Sequence, residues 1–179
     1  MEEQGDFEAL HVLIASGRPH TVQLLRQVLN MLGIRRARSV AQSQAAIDLL
    51  CTNKFSALFC DERLADSDAD TFVLAARRSP DLVNPMIPIF LVCTGPRRRN
   101  IEAARDLGFT DVLARPLSAA TVRRKLRSAL IQPRSFIVAG DFFGPDRRTG
   151  EKSWKGRERR LRQPRKVNIP PPEAKLPTD

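Results

Sequence analysis

The chain of 179 residues has no tyrosine, one tryptophan and three cysteines. An odd and small set of thiols excludes a disulfide framework. Cys60 and Cys93 lie in apolar runs, where a free cysteine acts as a small hydrophobe, so neither they nor Cys51 is read as a redox or metal site. Acid is also scarce, with 20 Asp and Glu against 30 Lys and Arg and a formal net charge of +10. No apolar run approaches the ~20 residues that a membrane-spanning helix needs. The opening Met1-Glu2-Glu3-Gln4-Gly5-Asp6 is acidic where a leader is basic and then apolar, so a cytoplasmic protein is expected. Catalytic groupings are missing as well. No nucleophile has a paired base, and His11 and His20 stand apart, His11 reading as a strand-edge residue. No enzyme, metal or cofactor is expected.

What is present is organised around Phe55-Ser56-Ala57-Leu58-Phe59-Cys60, a nearly continuous apolar run that stops on the carboxylate of Asp61. Such a run reads as a buried parallel strand. Ligands of open parallel sheets collect beyond the carboxyl ends of the strands, where Asp61 would stand. Apolar runs at His11 to Ala15 and Ile87 to Cys93 bring Ser16, Gly17 and Thr94 to the same edge, and Phe109 to Ala114 delivers Arg115-Pro116. Between them lie helical patterns. Pro19 opens one with Val22, Leu25, Val28, Leu29 and Leu32 at spacings of three and four, closed by Gly33. A short strand, Ile34 to Val40, precedes a helix over about 41–52 that turns Ala45, Leu49 and Leu50 inward. Asp70 is expected to cap a helix running to Arg78, Arg97-Arg98-Arg99 opens one that ends at Gly108, and Ser118 caps the last before Pro133. The alternation predicts an α/β fold, a doubly wound five-stranded parallel sheet. Asp66, Asp68 and Asp70 have the alternate spacing of a calcium loop, but Thr71 and Arg77 stand where glycine and glutamate are required.

Over residues 9–131 this pattern resembles the flavodoxin-like, CheY-like receiver domain of response regulators. The resemblance implies Asp61 as the phosphoacceptor position, Thr94 and Arg115 as switch positions, and a cis bond before Pro116. It also implies departures. Ser16 and Gly17 replace the acid pair that holds magnesium, Arg115 replaces a lysine, and Val112 replaces a switch aromatic. Oxygen-rich, mostly carboxylate sites suit magnesium, so a pocket left with Asp61 should hold it poorly.

Beyond residue 131 the charge changes. Residues 1–130 carry 18 basic and 14 acidic groups, and residues 131–179 carry 12 and 6. Residues 134–166 form an arginine-rich extension that is expected to be flexible until it meets its ligand, and 167–179 a proline-rich disordered tail. The extension contains a repeat. Phe142-Phe143-Gly144-Pro145-Asp146-Arg147-Arg148 and Trp154-Lys155-Gly156-Arg157-Glu158-Arg159-Arg160 share an aromatic, a glycine, an acid and an arginine pair at matched places. Arginine grips guanine O6 and N7 with paired hydrogen bonds, a second arginine or an aromatic stacks on the base, and a carboxylate accepts from N1 and N2. Two copies point to a ligand with two guanines.

The receiver pattern and this extension together resemble the Cle group of CheY-like proteins, which bind cyclic di-GMP and act on the flagellar motor. The resemblance implies cyclic di-GMP contacts from Asp146, Arg147, Arg148, Trp154, Glu158, Arg159 and Arg160, and a protein partner at the motor switch. Two other readings stay open, a phosphorylation-dependent single-domain response regulator and a basic-tailed nucleic-acid binder.

Overall fold

A computed structural model describes residues 7–95, 98–139, 142–146 and 165–167. Five parallel strands, β1 (His11–Ala15), β2 (Arg36–Val40), β3 (Ala57–Asp61), β4 (Ile89–Thr94) and β5 (Asp111–Arg115), form one sheet in the order β2-β1-β3-β4-β5. Five helices alternate with them: α1 (Pro19–Met31), α2 (Ser43–Thr52), α3 (Ala69–Arg78), α4 (Arg98–Leu107) and α5 (Ala119–Ile131). This is the expected doubly wound sheet. All five residues of β3 are buried because helices cover both its faces.

The pleat sends alternate residues to opposite layers. Leu13, Ala15, Leu58 and Cys60 meet Ala46 and Leu50 of α2, Phe72, Val73 and Ala76 of α3, and Ala104 of α4. Val12, Ile14, Phe59, Phe90, Val92 and Leu113 meet Leu25, Val28 and Leu29 of α1 and Val122, Leu126 and Leu130 of α5. In α2 Leu50 is buried and Leu49 packs against the core as expected, while Ala46 is buried where Ala45 was expected. The loop acids explain the start points. Asp66 accepts from the Ser43 backbone N–H and hydroxyl, each at 2.8 Å, and Asp68 accepts from Thr71 N–H at 2.8 Å. Asp68, rather than the expected Asp70, therefore caps α3, since the helix already begins at Ala69. Ser118 caps α5 as expected, with Thr121 N–H donating to it.

One ion cluster ties the α4–β5–α5 side together. Asp111 accepts from Lys125 Nζ at 2.7 Å and lies 3.5 Å from Arg105. Burial pushes its carboxyl up, but hydrogen bonds from Lys125 and Val112 N–H and the charges of Lys125 and Arg105 outweigh that and hold it below the usual range. A depressed folded pKa gives stability that is present above the unfolded value near 4 and lost as pH falls through the folded one. Asp111→Asn should therefore cost roughly 1–2 kcal/mol at pH 7. Its denaturant midpoint should also fall less between pH 5 and 3 than the parent's does. Equal acid limbs in the two proteins would remove Asp111 from this account.

Past α5, three short strands form an antiparallel sheet in the order β7-β6-β8: β6 (Phe136–Ala139), β7 (Phe142–Pro145) and β8 (Arg165–Val167). Phe136 is 2% exposed and Ile137 7%. The expectation of an extension without structure in the free protein is thus corrected for these residues. Strands of three or four residues are too short to show alternation, and Arg77, which lies over the Phe136 ring, comes from α3, far away in sequence.

Candidate functional site

Asp61 ends β3 at the carboxyl edge of the sheet and is fully buried. Its Oδ1 accepts from Glu62 N–H at 2.8 Å and from Arg115 Nη2 at 2.5 Å, and its Oδ2 accepts from Ser16 Oγ at 2.8 Å. Arg18 Nε lies 3.9 Å from Oδ2. The carboxylate is already neutralised and solvated by protein groups on both oxygens. Arg115, opposite Thr94 in the β4–β5 register, also donates to Thr21 Oγ1 at 3.1 Å and to Thr94 Oγ1 at 3.4 Å. The three positions singled out in the sequence, Asp61, Thr94 and Arg115, therefore meet at one point. The Arg115-Pro116 bond is cis.

The pocket does not fit magnesium. Ser16, where an acid would be needed, donates its proton to Asp61 and cannot add charge. Gly17 has no room for one: a Cβ there would lie 2.7 Å from Ala65 N and 2.7 Å from Leu64 C. Gly17 N–H donates to Arg63 O at 3.0 Å, which fixes that loop against it. Two guanidinium groups stand beside the remaining carboxylate. Among the described residues no cluster of three His, Cys, Asp or Glu side chains gathers anywhere. The thiols near the pocket are held protonated. Burial, Asp61 and Asp70 push Cys60 well up, and burial and Glu62 push Cys93 up against the opposing charge of Arg115. Val112, at the position of the switch aromatic, is buried in β5. His11 packs its ring on Phe55 with centroids 4.3 Å apart, and burial followed by Arg36 lowers its pKa, as befits a neutral edge residue.

Of the predicted ligand contacts, Asp146 lies within the described residues, while Arg147, Arg148, Trp154, Glu158, Arg159 and Arg160 lie outside them. Asp146 follows β7, its N–H donates to Ser135 O at 2.7 Å, and its charge helps offset the burial that lowers the pKa of Arg134. Phe142 and Phe143, which begin the first motif, line a small hollow with Leu74, Arg77, Arg78 and Leu107. Gly144 is used for packing: a Cβ there would meet the Phe142 ring at 2.8 Å and Gly108 Cα at 3.2 Å.

Sequence reasoning missed Arg77. It is 6% exposed, and its guanidinium donates to Gly108 O at 3.1 Å, Pro85 O at 2.9 Å and Ile87 O at 2.9 Å, with its carbon 5.1 Å from the centroid of the Phe136 ring. Burial pushes it down to about 9, which leaves it charged at neutral pH. At the last turn of α3 it also faces the favourable end of the helix dipole.

No family model and no curated protein matches this chain. Solved structures do. A response regulator from Chloroflexus aurantiacus, itself described as putative, is 23% identical over 66% of this chain and 95% of its own, with a TM-score of 0.60. The chemotaxis response regulator CheY4 of Vibrio cholerae is 19% identical over 68% and 98%, TM-score 0.59. The receiver domain of a sensor histidine kinase from Pseudomonas aeruginosa, with magnesium coordinated in its active-site cleft, is 22% identical over 66% and 94%, TM-score 0.58. The fold is that of a CheY-like receiver domain. In this chain Arg115 closes the strand-end pocket on Asp61, and a three-stranded antiparallel sheet follows α5.

Proposed function

We propose that this chain is a non-enzymatic signalling protein that binds cyclic di-GMP through its arginine-rich extension and passes that signal to a protein partner, the flagellar motor switch. The observation that supports it most is the closed pocket. Asp61 accepts from Ser16, Glu62 N–H and Arg115, so a phosphoryl group and its metal would have to displace three donors, which supports an input elsewhere. The repeated aromatic, glycine, acid and arginine pair supplies another input, with chemistry matched to two guanines and a polyanionic backbone. Arg147, Arg148, Arg159 and Arg160 bind in this reading, Trp154 stacks, and Asp146 and Glu158 accept from guanine. The protein acts in the cytoplasm, where the messenger is made. The nucleic-acid reading draws on the same basic surplus and separates from this one by salt dependence.

Amide exchange tests it. The free protein should protect 136–139 and 142–146, and cyclic di-GMP should add protection over 147–164. Cyclic di-AMP should not. If both dinucleotides protect equally, the guanine reading fails; if neither does, the extension is not the input.

A further inference from the structure

We propose that the open edge of β2, with the groove beside it on α1, docks an extended acidic segment of a protein partner as a sixth strand of the sheet. The inference stands apart from the cyclic di-GMP reading, because it uses no residue of the extension. β2 ends the sheet on its side and pairs with β1 alone. Ser16 N–H donates to Val40 O at 3.0 Å, so the ladder to β1 uses Arg36, Arg38 and Val40, and the alternate residues Ala37 and Ser39 turn their N–H and C=O groups outward. Ala37 N–H makes a local contact with Arg35 O at 3.2 Å, and among the described residues the other outward groups have no backbone partner.

Pleating sends the side chains two ways. Arg36 and Arg38 are exposed on the α2 side, where Val40 packs, while Ala37 and Ser39 face α1. A groove of about 650 Å³ opens on the α1 side, lined by Val22, Gln23, Arg26, Gln27, Asn30 and Ser39, with room for the side chains of an added strand. Arg26 Nη2 donates to Ser39 Oγ at 3.0 Å, which holds a cation beside the edge. Charge selects the partner. From residue 16 to 54 the chain carries Arg18, Arg26, Arg35, Arg36, Arg38 and Lys54 against one acid, Asp48. Among the described residues no carboxylate pairs with Arg35, Arg36 or Arg38. The opposite edge differs, since Asp111 of β5 is matched inside the chain by Lys125 and Arg105. Charges guard an edge strand against its like, so the β2 arginines repel a second copy's β2. An acidic strand reverses that sign. Arg36 and Arg38, two residues apart on one face, meet acids that recur at the same alternate spacing. Main-chain hydrogen bonds then supply affinity and the acids supply selection, as when a peptide adds to a sheet edge.

A short blocked peptide of alternating valine and glutamate tests this on the full chain, read by calorimetry and by exchange of the Ala37 and Ser39 amides. The peptide should bind and slow exchange at both amides, and its valine–lysine counterpart should do neither. Arg36→Gln with Arg38→Gln should weaken binding by roughly two- to thirty-fold, the range for two surface ion pairs. Both side chains are exposed, so the melting temperature should stay where it is. Methylating the peptide nitrogens of all valines, or of all glutamates, strips the N–H row from one edge while keeping the charge, and one of these two forms should lose binding. If both methylated forms bind like the unmodified peptide, the site is charge alone and the inference is overturned. Unslowed amides at Ala37 and Ser39, or full affinity in the glutamine variant, overturn it too. A single-stranded oligonucleotide that slows those amides more than the peptide does would hand this edge to nucleic acid instead.

Discussion

Replacing Arg147, Arg148, Arg159 and Arg160 together by lysine should weaken cyclic di-GMP binding by roughly thirty-fold to twenty-thousand-fold, although the formal net charge stays at +10. Lysine is a point charge on a flexible stem. It can neutralise phosphate, but it has no planar fork for guanine O6 and N7 and no face to stack on a base. Losing two paired contacts at roughly 1–3 kcal/mol each gives that range. Isothermal titration of parent and variant at one salt concentration measures it. A binder driven by charge alone would hardly notice the exchange, because its affinity follows the number of cations. Unchanged affinity in the lysine variant would therefore reassign the extension to simple electrostatics.

Acetyl phosphate with magnesium should leave Asp61 unmodified, and supplying acids by Ser16→Asp with Gly17→Asp should not restore the reaction. Asp61 is held by Arg115, Ser16 and the Glu62 amide, so an incoming metal and phosphoryl group would have to displace three donors. The acid pair also lacks space. A side chain at Gly17 has to push back the Leu64–Ala65 backbone, since its Cβ would lie 2.7 Å from two backbone atoms. Such overpacking costs about 1–3 kcal/mol. The double variant should therefore melt lower than the parent while remaining unphosphorylated by intact-mass measurement. A magnesium-dependent adduct in the parent, absent from Asp61→Asn, would mean that Arg115 and Ser16 give way easily and that the receiver keeps its usual input.

How legible this was from sequence depends on how far apart the interacting residues lie. The β1 run from His11 to Ala15 is found with the expected bounds, and Asp61, Thr94 and Arg115 converge as strand-end geometry requires. Those inferences need only period and the order of strands. The cap at Asp68, two residues before the expected Asp70, and the burial of Ala46 in place of Ala45 are shifts of one or two residues, finer than local pattern resolves. Arg77 was illegible for a different reason. On the helix it follows the buried Phe72, Val73 and Ala76 and looks like an ordinary basic last turn, and it is buried by groups brought up from elsewhere, Pro85, Ile87, Gly108 and Phe136 among them. The small sheet did leave a trace: Phe136-Ile137-Val138-Ala139, then Gly140-Asp141, then Phe142-Phe143 is apolar, turn, apolar, the pattern of a tight hairpin. The closure at Gly17 left none, because it comes from the Leu64–Ala65 backbone and not from any side chain.

The central claim, that this receiver takes its input through guanine recognition and not through Asp61, is tested most directly by calorimetric titration of the full chain. Cyclic di-GMP, cyclic di-AMP and a single-stranded oligonucleotide should be compared at low and high salt. The account predicts saturable binding of cyclic di-GMP that survives the salt increase, with cyclic di-AMP weaker by at least ten-fold. Preference for the oligonucleotide, with affinity falling at about 0.7 per neutralised phosphate on logarithmic axes, would contradict it.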